Sequence, residues 1–137
     1  MSKLKIDLFT PNGVLLKNLD ADEVSVNLKS GEIGILPGHE NFLGQLKTGI
    51  VSIRDLDKFY RFSVTHGVCK VENNRVTLLS TTSEPADKID LSRAQIALKN
   101  AQDKLSNFSN LEEDELIKYQ RKQDRAEARI RLAYLRQ

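Results

Sequence analysis

The sequence predicts a β + α chain, an N-terminal antiparallel β-sandwich followed by a C-terminal antiparallel two-helix hairpin. Three observations carry this. Residues 1–84 hold all seven glycines and short stretches in which apolar and polar residues alternate, the period of a half-buried strand. Turn-forming pairs punctuate that region about every ten residues, as the short strands of a sandwich or barrel require. From Pro85 onward glycine disappears and apolar residues recur every three or four positions, the period of a helix. The expected domains are therefore 1–84 and 85–137.

In the first strand Leu4, Ile6 and Leu8 alternate with Lys5 and Asp7, and Pro11-Asn12-Gly13 ends the run with a turn. Val24, Val26 and Leu28 alternate with Ser25, Asn27 and Lys29, followed by Ser30-Gly31 and then Pro37-Gly38. Ile50, Ile53, Phe59, Phe62, Val64, Val68, Val71, Val76 and Leu78 supply further β-like runs, with Asn73-Asn74 as a residue pair able to take positive φ. The first helix carries Leu91, Ala94, Leu98, Ala101, Leu105 and Phe108 on one stripe, and Asp90 stands where an N-cap belongs. Ser106 to Asn110 break the pattern. A second helix is expected from about Glu112 to Leu135, with Leu116, Tyr119, Ala126, Ile130 and Ala133 inward and an interruption from Arg121 to Arg125. Such thin, Ala-rich stripes bury little area, so the hairpin is expected to be marginal alone and able to exchange between packed and extended positions.

Composition narrows the function. With 21 basic against 19 acidic residues the net charge is +2, which gives no global pull toward nucleic acid. No apolar run approaches the roughly 20 residues of a membrane helix, and MSKLKIDLFT is expected to be neither a signal nor a transit peptide. A single cysteine, Cys69, excludes an internal disulfide and fits a reducing compartment. Its alternating surroundings suit a small buried hydrophobe better than a reactive thiol. Two histidines and no phosphate loop, nucleophile elbow or H-E-x-x-H pair point away from an enzyme. No metal site is expected.

Charge is partitioned unevenly. Residues 1–84 balance ten cations with ten anions, whereas 118–137 carry Lys118, Arg121, Lys122, Arg125, Arg129, Arg131 and Arg136 against Asp124 and Glu127. The acidic run Glu112 to Glu115 sits in the expected first turn, where it suits the helix dipole. The basic stretch reads either as a solvated face or as a surface for an acidic protein or a nucleic acid.

Gly31-Glu32-Ile33-Gly34-Ile35-Leu36-Pro37-Gly38-His39, continued by Leu46-Lys47-Thr48-Gly49-Ile50-Val51, resembles the signature stretch of the epsilon subunit of bacterial F-type ATP synthases. Gly67-Val68, Val71 and Val76-Thr77-Leu78-Leu79 are similar to the family's later strands, and Ile89-Asp90-Leu91-Ser92-Arg93-Ala94 to its helix-start motif. The resemblance covers nearly the whole chain. It implies a non-catalytic rotor subunit of the central stalk in a proton-translocating enzyme. Such a subunit couples rotation of the c ring and gamma to ATP synthesis. Its C-terminal helices restrain ATP hydrolysis against the alpha and beta subunits. It would be a peripheral protein on the cytoplasmic face of the bacterial plasma membrane, touching the membrane only indirectly and binding no nucleic acid. The resemblance also implies that the loop with Gly31 and Glu32 faces the c ring and that His39 lies near gamma. Taken alone, the glycines of that loop are equally explained by a rigid sandwich corner.

The same resemblance implies no required cofactor but a regulatory ATP site formed by Glu84, Asp90, Arg93, Ala94, Arg125 and Arg129. Guanidinium forks suit phosphate oxygens, and Arg125 and Arg129, four apart, share one helix face. Where ATP-binding relatives carry a further cation one turn into the first helix, this chain has Asn100. The inhibitory surface implied is Lys118, Arg121, Lys122, Arg125 and Arg129. The competing reading is a small polyanion- or nucleic-acid-binding protein that uses the same basic helix.

Overall fold

The computed structural model describes residues 3–135. The side chains of Phe108 and Leu135, and Arg136 of the basic run, lie outside the described residues. Ten strands come first: β1 (Leu4–Thr10), β2 (Gly13–Ala21), β3 (Glu23–Leu28), β4 (Gly31–Ile35), β5 (Phe42–Leu46), β6 (Gly49–Asp55), β7 (Lys58–Val64), β8 (Gly67–Glu72), β9 (Arg75–Ser80) and β10 (Ser83–Pro85). They pair in the order β10-β7-β6-β3-β5-β8-β9-β1-β2, with β4 on β3. All pairs are antiparallel except β1 with β9, which run parallel from Lys5 opposite Arg75 to Phe9 opposite Leu79. These two strands lie far apart in sequence, so no hairpin fixes their relative direction. The expected all-antiparallel pairing fails only there.

One buried cluster unites the strands. Leu4, Ile6 and Leu8 meet Val24, Val26 and Leu28, Val51 and Ile53, Cys69 and Val71, and Val76 and Leu78. A ladder this long can share a single core only by folding over on itself, which makes two layers. Strand β2, at one end of the order, comes against β6 near the other. Asp22, just past β2, ties that closure: its Oδ2 accepts the Leu56 N–H at 2.8 Å, and its N–H donates to the Arg54 carbonyl at 2.8 Å. Lys3 bridges Asp22, at 3.3 Å, and Asp55. Bonding to Asp55 and Asp22 raises the pKa of the Lys3 ammonium.

One sequence expectation fails in the sandwich. Asp7, read as outward by alternation, is buried. Its Oδ1 accepts the Asn18 N–H at 2.9 Å and its Oδ2 the Arg75 guanidinium at 2.7 Å, and the register shift after Ile6 lets it turn inward. Phe59, read among the strand runs, lies in β7 as expected, 53% exposed and stacked under Arg61, 4.7 Å from its ring.

The chain divides into two compact units, Met1–Pro85 and Ala86–Gln137. The second opens with a 3-10 turn (Ala86–Lys88) and continues as α1 (Leu91–Leu105), a second 3-10 turn (Phe108–Asn110) and α2 (Glu113–Leu135). The Asp90 Oδ1 caps α1 by accepting the Arg93 N–H at 3.1 Å. The helices pack through alanines: Ala94, Ala101, Ala126 and Ala133 are buried, and Leu91, Leu98, Leu105, Leu116, Tyr119 and Ile130 are half-buried. Ala128 and Leu132, absent from the expected stripe, are buried as well. They lie on a different side of α2 from Ala126 and Ala133, so a single-stripe reading misses them.

Candidate functional site

The helical unit holds a groove of about 590 Å³ between α1 and α2. Ala97, Ala101 and Ala126 line it without bulk, because alanines allow the helices to approach closely while leaving the space above them open. Polar and charged groups complete the lining: Asn100, Asp103 and Lys104 from α1, and Tyr119, Lys122, Arg125 and Arg129 from α2. Lys122, Arg125 and Arg129 stand at helical spacings of three and four, so their cations follow one face for about 10 Å. Tyr119 is half-buried, with the ammoniums of Lys118 and Lys122 each 5.5 Å from its ring.

The residues expected to bind ATP are divided by this geometry. Arg125 and Arg129 enter the groove. Asp90, Arg93 and Ala94 occupy the first turn of α1 and do not line it. The Asp90 carboxylate serves as the helix cap, Arg93 is exposed and Ala94 is fully buried. Glu84 belongs to the other unit, half-buried in β10, where its N–H donates to Ser63 Oγ at 3.1 Å. Arg121 is exposed and stands outside the groove. Lys104 and Tyr119 are groove residues that the sequence reading did not assign to a ligand. Only their helical spacing, set against the facing stripe, could have marked them.

The signature stretch is not one loop. Residues 31–35 form β4, and only Leu36 to His39 turn. Gly31, at φ 129°, follows the two-residue turn after β3. Gly38, at φ 88°, donates its N–H to Asn74 Oδ1 at 2.7 Å. Gly34 has no positive φ and open space around it, so it is an ordinary strand residue and not the turn-maker expected. The strand separates Glu32 from His39. Ladder partners run from Gly31 through Leu28 and Leu46 to Gly67, so Glu32 lies at the Gly67 end of the sandwich, exposed, with Ser25 Oγ donating to it at 3.2 Å. His39 lies at the opposite end, beside the Asn73–Asn74 turn. There its Nδ1 donates to the Glu40 carbonyl at 2.9 Å and its ring meets Phe42 edge-on. His66 is exposed.

The outer face of the sandwich carries a feature that alternation does not isolate. Val68, Leu79, Phe9 and Val14 are successive cross-strand partners on β8, β9, β1 and β2, with Leu79 47% and Val14 59% exposed. A hollow of about 400 Å³ lies beside this row, walled by Pro11, Gly67 and Thr81. Leu43, Leu56 and Phe59 are exposed as well, but the four side chains of the row are contiguous across four strands, and a contiguous apolar row on a surface is a mark of a protein contact. Cys69, one residue along, points inward, and burial pushes its thiol up to about 12. Among the described residues no group of three or more potential ligands could hold a metal, and no helix is long and apolar enough to cross a membrane.

A family model described as the beta-sandwich domain of the ATP synthase delta/epsilon chain matches residues 3–86. The chain belongs to this family. The ATP synthase epsilon chain of Geotalea daltonii is 37% identical over 131 residues, covering 96% of this chain and 94% of its own. That of Geobacter metallireducens is 40% identical over 107 residues, 78% of this chain and 77% of the relative. The Staphylococcus aureus epsilon chain is 31% identical over 136 residues, 99% and 100% of the two chains. In structure, the chain is similar to one in the cryo-EM structure of the Euglena gracilis mitochondrial ATP synthase, OSCP/F1/c-ring in rotational state 1. The TM-score is 0.83 at 21% identity, covering 98% of this chain and 82% of the other. The delta/epsilon sandwich of this chain is thus the unit with the exposed row and the signature stretch, and its helical unit holds the cationic groove.

Proposed function

We propose that this chain is the epsilon-type central-stalk subunit of an F-type ATP synthase, a non-catalytic rotor part that couples rotation of gamma and the c ring to ATP synthesis. The observation that carries this reading is the exposed row Val68–Leu79–Phe9–Val14. It offers gamma an apolar contact across four strands, on a sandwich whose own core needs none of these side chains. Glu32, exposed in β4 beside the turn that precedes it, suits the c ring, and the His39 corner at the other end of the sandwich suits gamma. The helical unit is the regulatory part. Its groove offers Arg125 and Arg129 to ATP. ATP bound across α1 and α2 would raise the population of the packed hairpin. Lys118, Arg121, Lys122, Arg125 and Arg129 present the cations through which an extended α2 restrains the alpha and beta subunits. The protein then works as a peripheral subunit on the cytoplasmic face of a bacterial plasma membrane, in a proton-driven enzyme.

A nucleic-acid reading is weaker, because base stacking needs several free aromatic faces among the cations, and α2 offers only Tyr119, whose ring already meets two lysines, and Tyr134. The test is capture of gamma and the c ring from detergent-solubilised membranes by the tagged chain. The parent chain should capture both. Leu79→Glu, at an exposed position, should fold normally and lose most of the gamma. Equal capture by both chains would refute the proposed contact.

A further inference from the structure

We propose that the unassembled chain pairs with a second copy of itself through the open edge of β4, the two strands running antiparallel about Ile33. Among the described residues three strands end the ladder: β10, β2 and β4. An open edge invites a strand from another chain unless something blocks it. Strand β10 is three residues long and ends in Pro85. Strand β2 is bent by two register shifts and carries Lys17. Strand β4 has none of these guards. It keeps one register with β3 from Gly31 to Ile35 and holds no proline or lysine.

The hydrogen bonds of β3 identify the groups on that edge. The Asn27 carbonyl accepts the Lys47 N–H at 2.9 Å, and the Lys29 N–H donates to the Gln45 carbonyl at 3.0 Å, so Asn27 and Lys29 face away from β4. By alternation Val24, Val26 and Leu28 face β4, and their partners Ile35, Ile33 and Gly31 face back. The N–H and C=O groups of Glu32 and Gly34 are left on the open edge, and both residues are exposed. A two-fold axis at Ile33 sets Glu32 opposite the partner's Gly34, and each such pair exchanges both backbone hydrogen bonds. Ile33, half-buried and packed on the core, meets the partner's Ile33 at a non-hydrogen-bonded position, where side chains come closest. Glycine at 34 has no reason inside the chain. Its φ is not positive and a Cβ there would meet nothing within 4 Å, whereas a strand interior disfavours glycine. Across the axis it has one, because it leaves the partner's Glu32 room to lie over it. The two Glu32 side chains then stand on a diagonal, about 7–8 Å apart at the backbone, and no two anions oppose directly. Pairing covers Glu32, the residue offered to the c ring, so the paired chain is a form outside the assembled enzyme.

Sedimentation equilibrium of the full chain from about 10 µM to about 1 mM tests this, with amide hydrogen exchange to locate the contact. The parent chain should show a monomer–dimer equilibrium. Raising its concentration should slow exchange at Glu32 and Gly34 and leave β2 and β10 unchanged. Gly34→Glu puts an anion directly opposite the partner's Glu32 and should weaken the dimer about fivefold or more, whereas Gly34→Lys puts a cation there and should strengthen it by a similar factor. Added salt should tighten the parent dimer and loosen that of Gly34→Lys, since screening removes a repulsion from one and an attraction from the other. Both variants should keep the Tm of the parent, because a side chain at 34 points into open space. A parent chain that stays monomeric at about 1 mM would overturn the proposal. So would dimers equally stable in Gly34→Glu and Gly34→Lys, or concentration-dependent protection confined to another strand or to the helices.

Discussion

Replacing Gly67 by Ala should unfold the sandwich far more readily than replacing Gly34 in the signature stretch. A Cβ built on Gly67 would lie 1.8 Å from the Leu79 carbonyl oxygen, 2.9 Å from its carbon and 3.0 Å from the Ser80 Cα. All three are backbone atoms, so no side chain can rotate away. Strand β8 is held on both sides, Gly67 pairing with Leu46 of β5 and Ser80 of β9, and relief requires the β8–β9 ladder to open by more than 1 Å. Overpacking of an unyielding site costs about 3 kcal/mol, which for a domain of this size lowers Tm by roughly 12–20 °C. Gly34→Ala supplies the control. Its Cβ meets nothing within 4 Å and its φ is ordinary, so the change should stay within about 0.5 kcal/mol. Urea and thermal unfolding followed by far-UV CD measure both. A Gly67→Ala chain within 1 kcal/mol of the parent, taken as the size of a routine mutational effect, would refute the reasoning.

Acid should loosen the sandwich through Asp7. Burial pushes its carboxyl up, but the bonds from Asn18 and Arg75, with the charge of Lys17, outweigh it and hold the pKa below the usual value. A depressed folded pKa contributes stability that is complete above the unfolded value, near pH 4, and is lost as pH falls through the folded one. Arg75→Ala, which leaves a buried carboxylate short of a partner, should cost about 2 kcal/mol at neutral pH, since Arg75 is itself half exposed. Measured against pH, its deficit should shrink below pH 4, and a constant deficit would contradict the pairing. Cys69, with its thiol raised to about 12, should ignore a disulfide reagent at pH 8 in the folded chain and react at once in urea. Lys122, Arg125 and Arg129 replaced together by Ala should raise ATP hydrolysis by the assembled enzyme, because up to about 3 kcal/mol of charge pairing leaves the restrained state. Subunit composition on native gels should not change, and an unchanged hydrolysis rate would reduce these cations to solubilising groups.

The parts legible in the sequence were those set by local periodicity. Leu4, Ile6 and Leu8, and Val24, Val26 and Leu28, alternate in sequence and are all buried. The change of period at Pro85 falls where β10 ends and the helical segment begins. Asp90 reads as an N-cap and is one. What escaped depends on partners distant in sequence. Asp7 could not be read as buried without Arg75, 68 residues later. The parallel β1–β9 pair leaves no mark in either strand, and neither does the row Val68–Leu79–Phe9–Val14, whose members come from four strands. Gly34 and Gly67 look alike as letters, yet only Gly67 faces a carbonyl. For the groove, the spacing of Arg125 and Arg129 was visible, but which side chains of α1 would face them depends on the register of the two helices. That register places Ala97, Asn100 and Lys104 at the groove, where the helix-start motif alone had directed attention to Arg93 and Ala94.

The central claim, that the sandwich couples and the helices regulate, is tested most directly by supplying residues 1–85 to membranes whose ATP synthase lacks this subunit. Coupling is read as ATP-driven proton pumping per ATP hydrolysed. The account predicts that residues 1–85 restore the pumping ratio of the full chain while hydrolysis runs faster than with the full chain. Failure of residues 1–85 to assemble with gamma, or assembly with hydrolysis no faster than with the full chain, would contradict it.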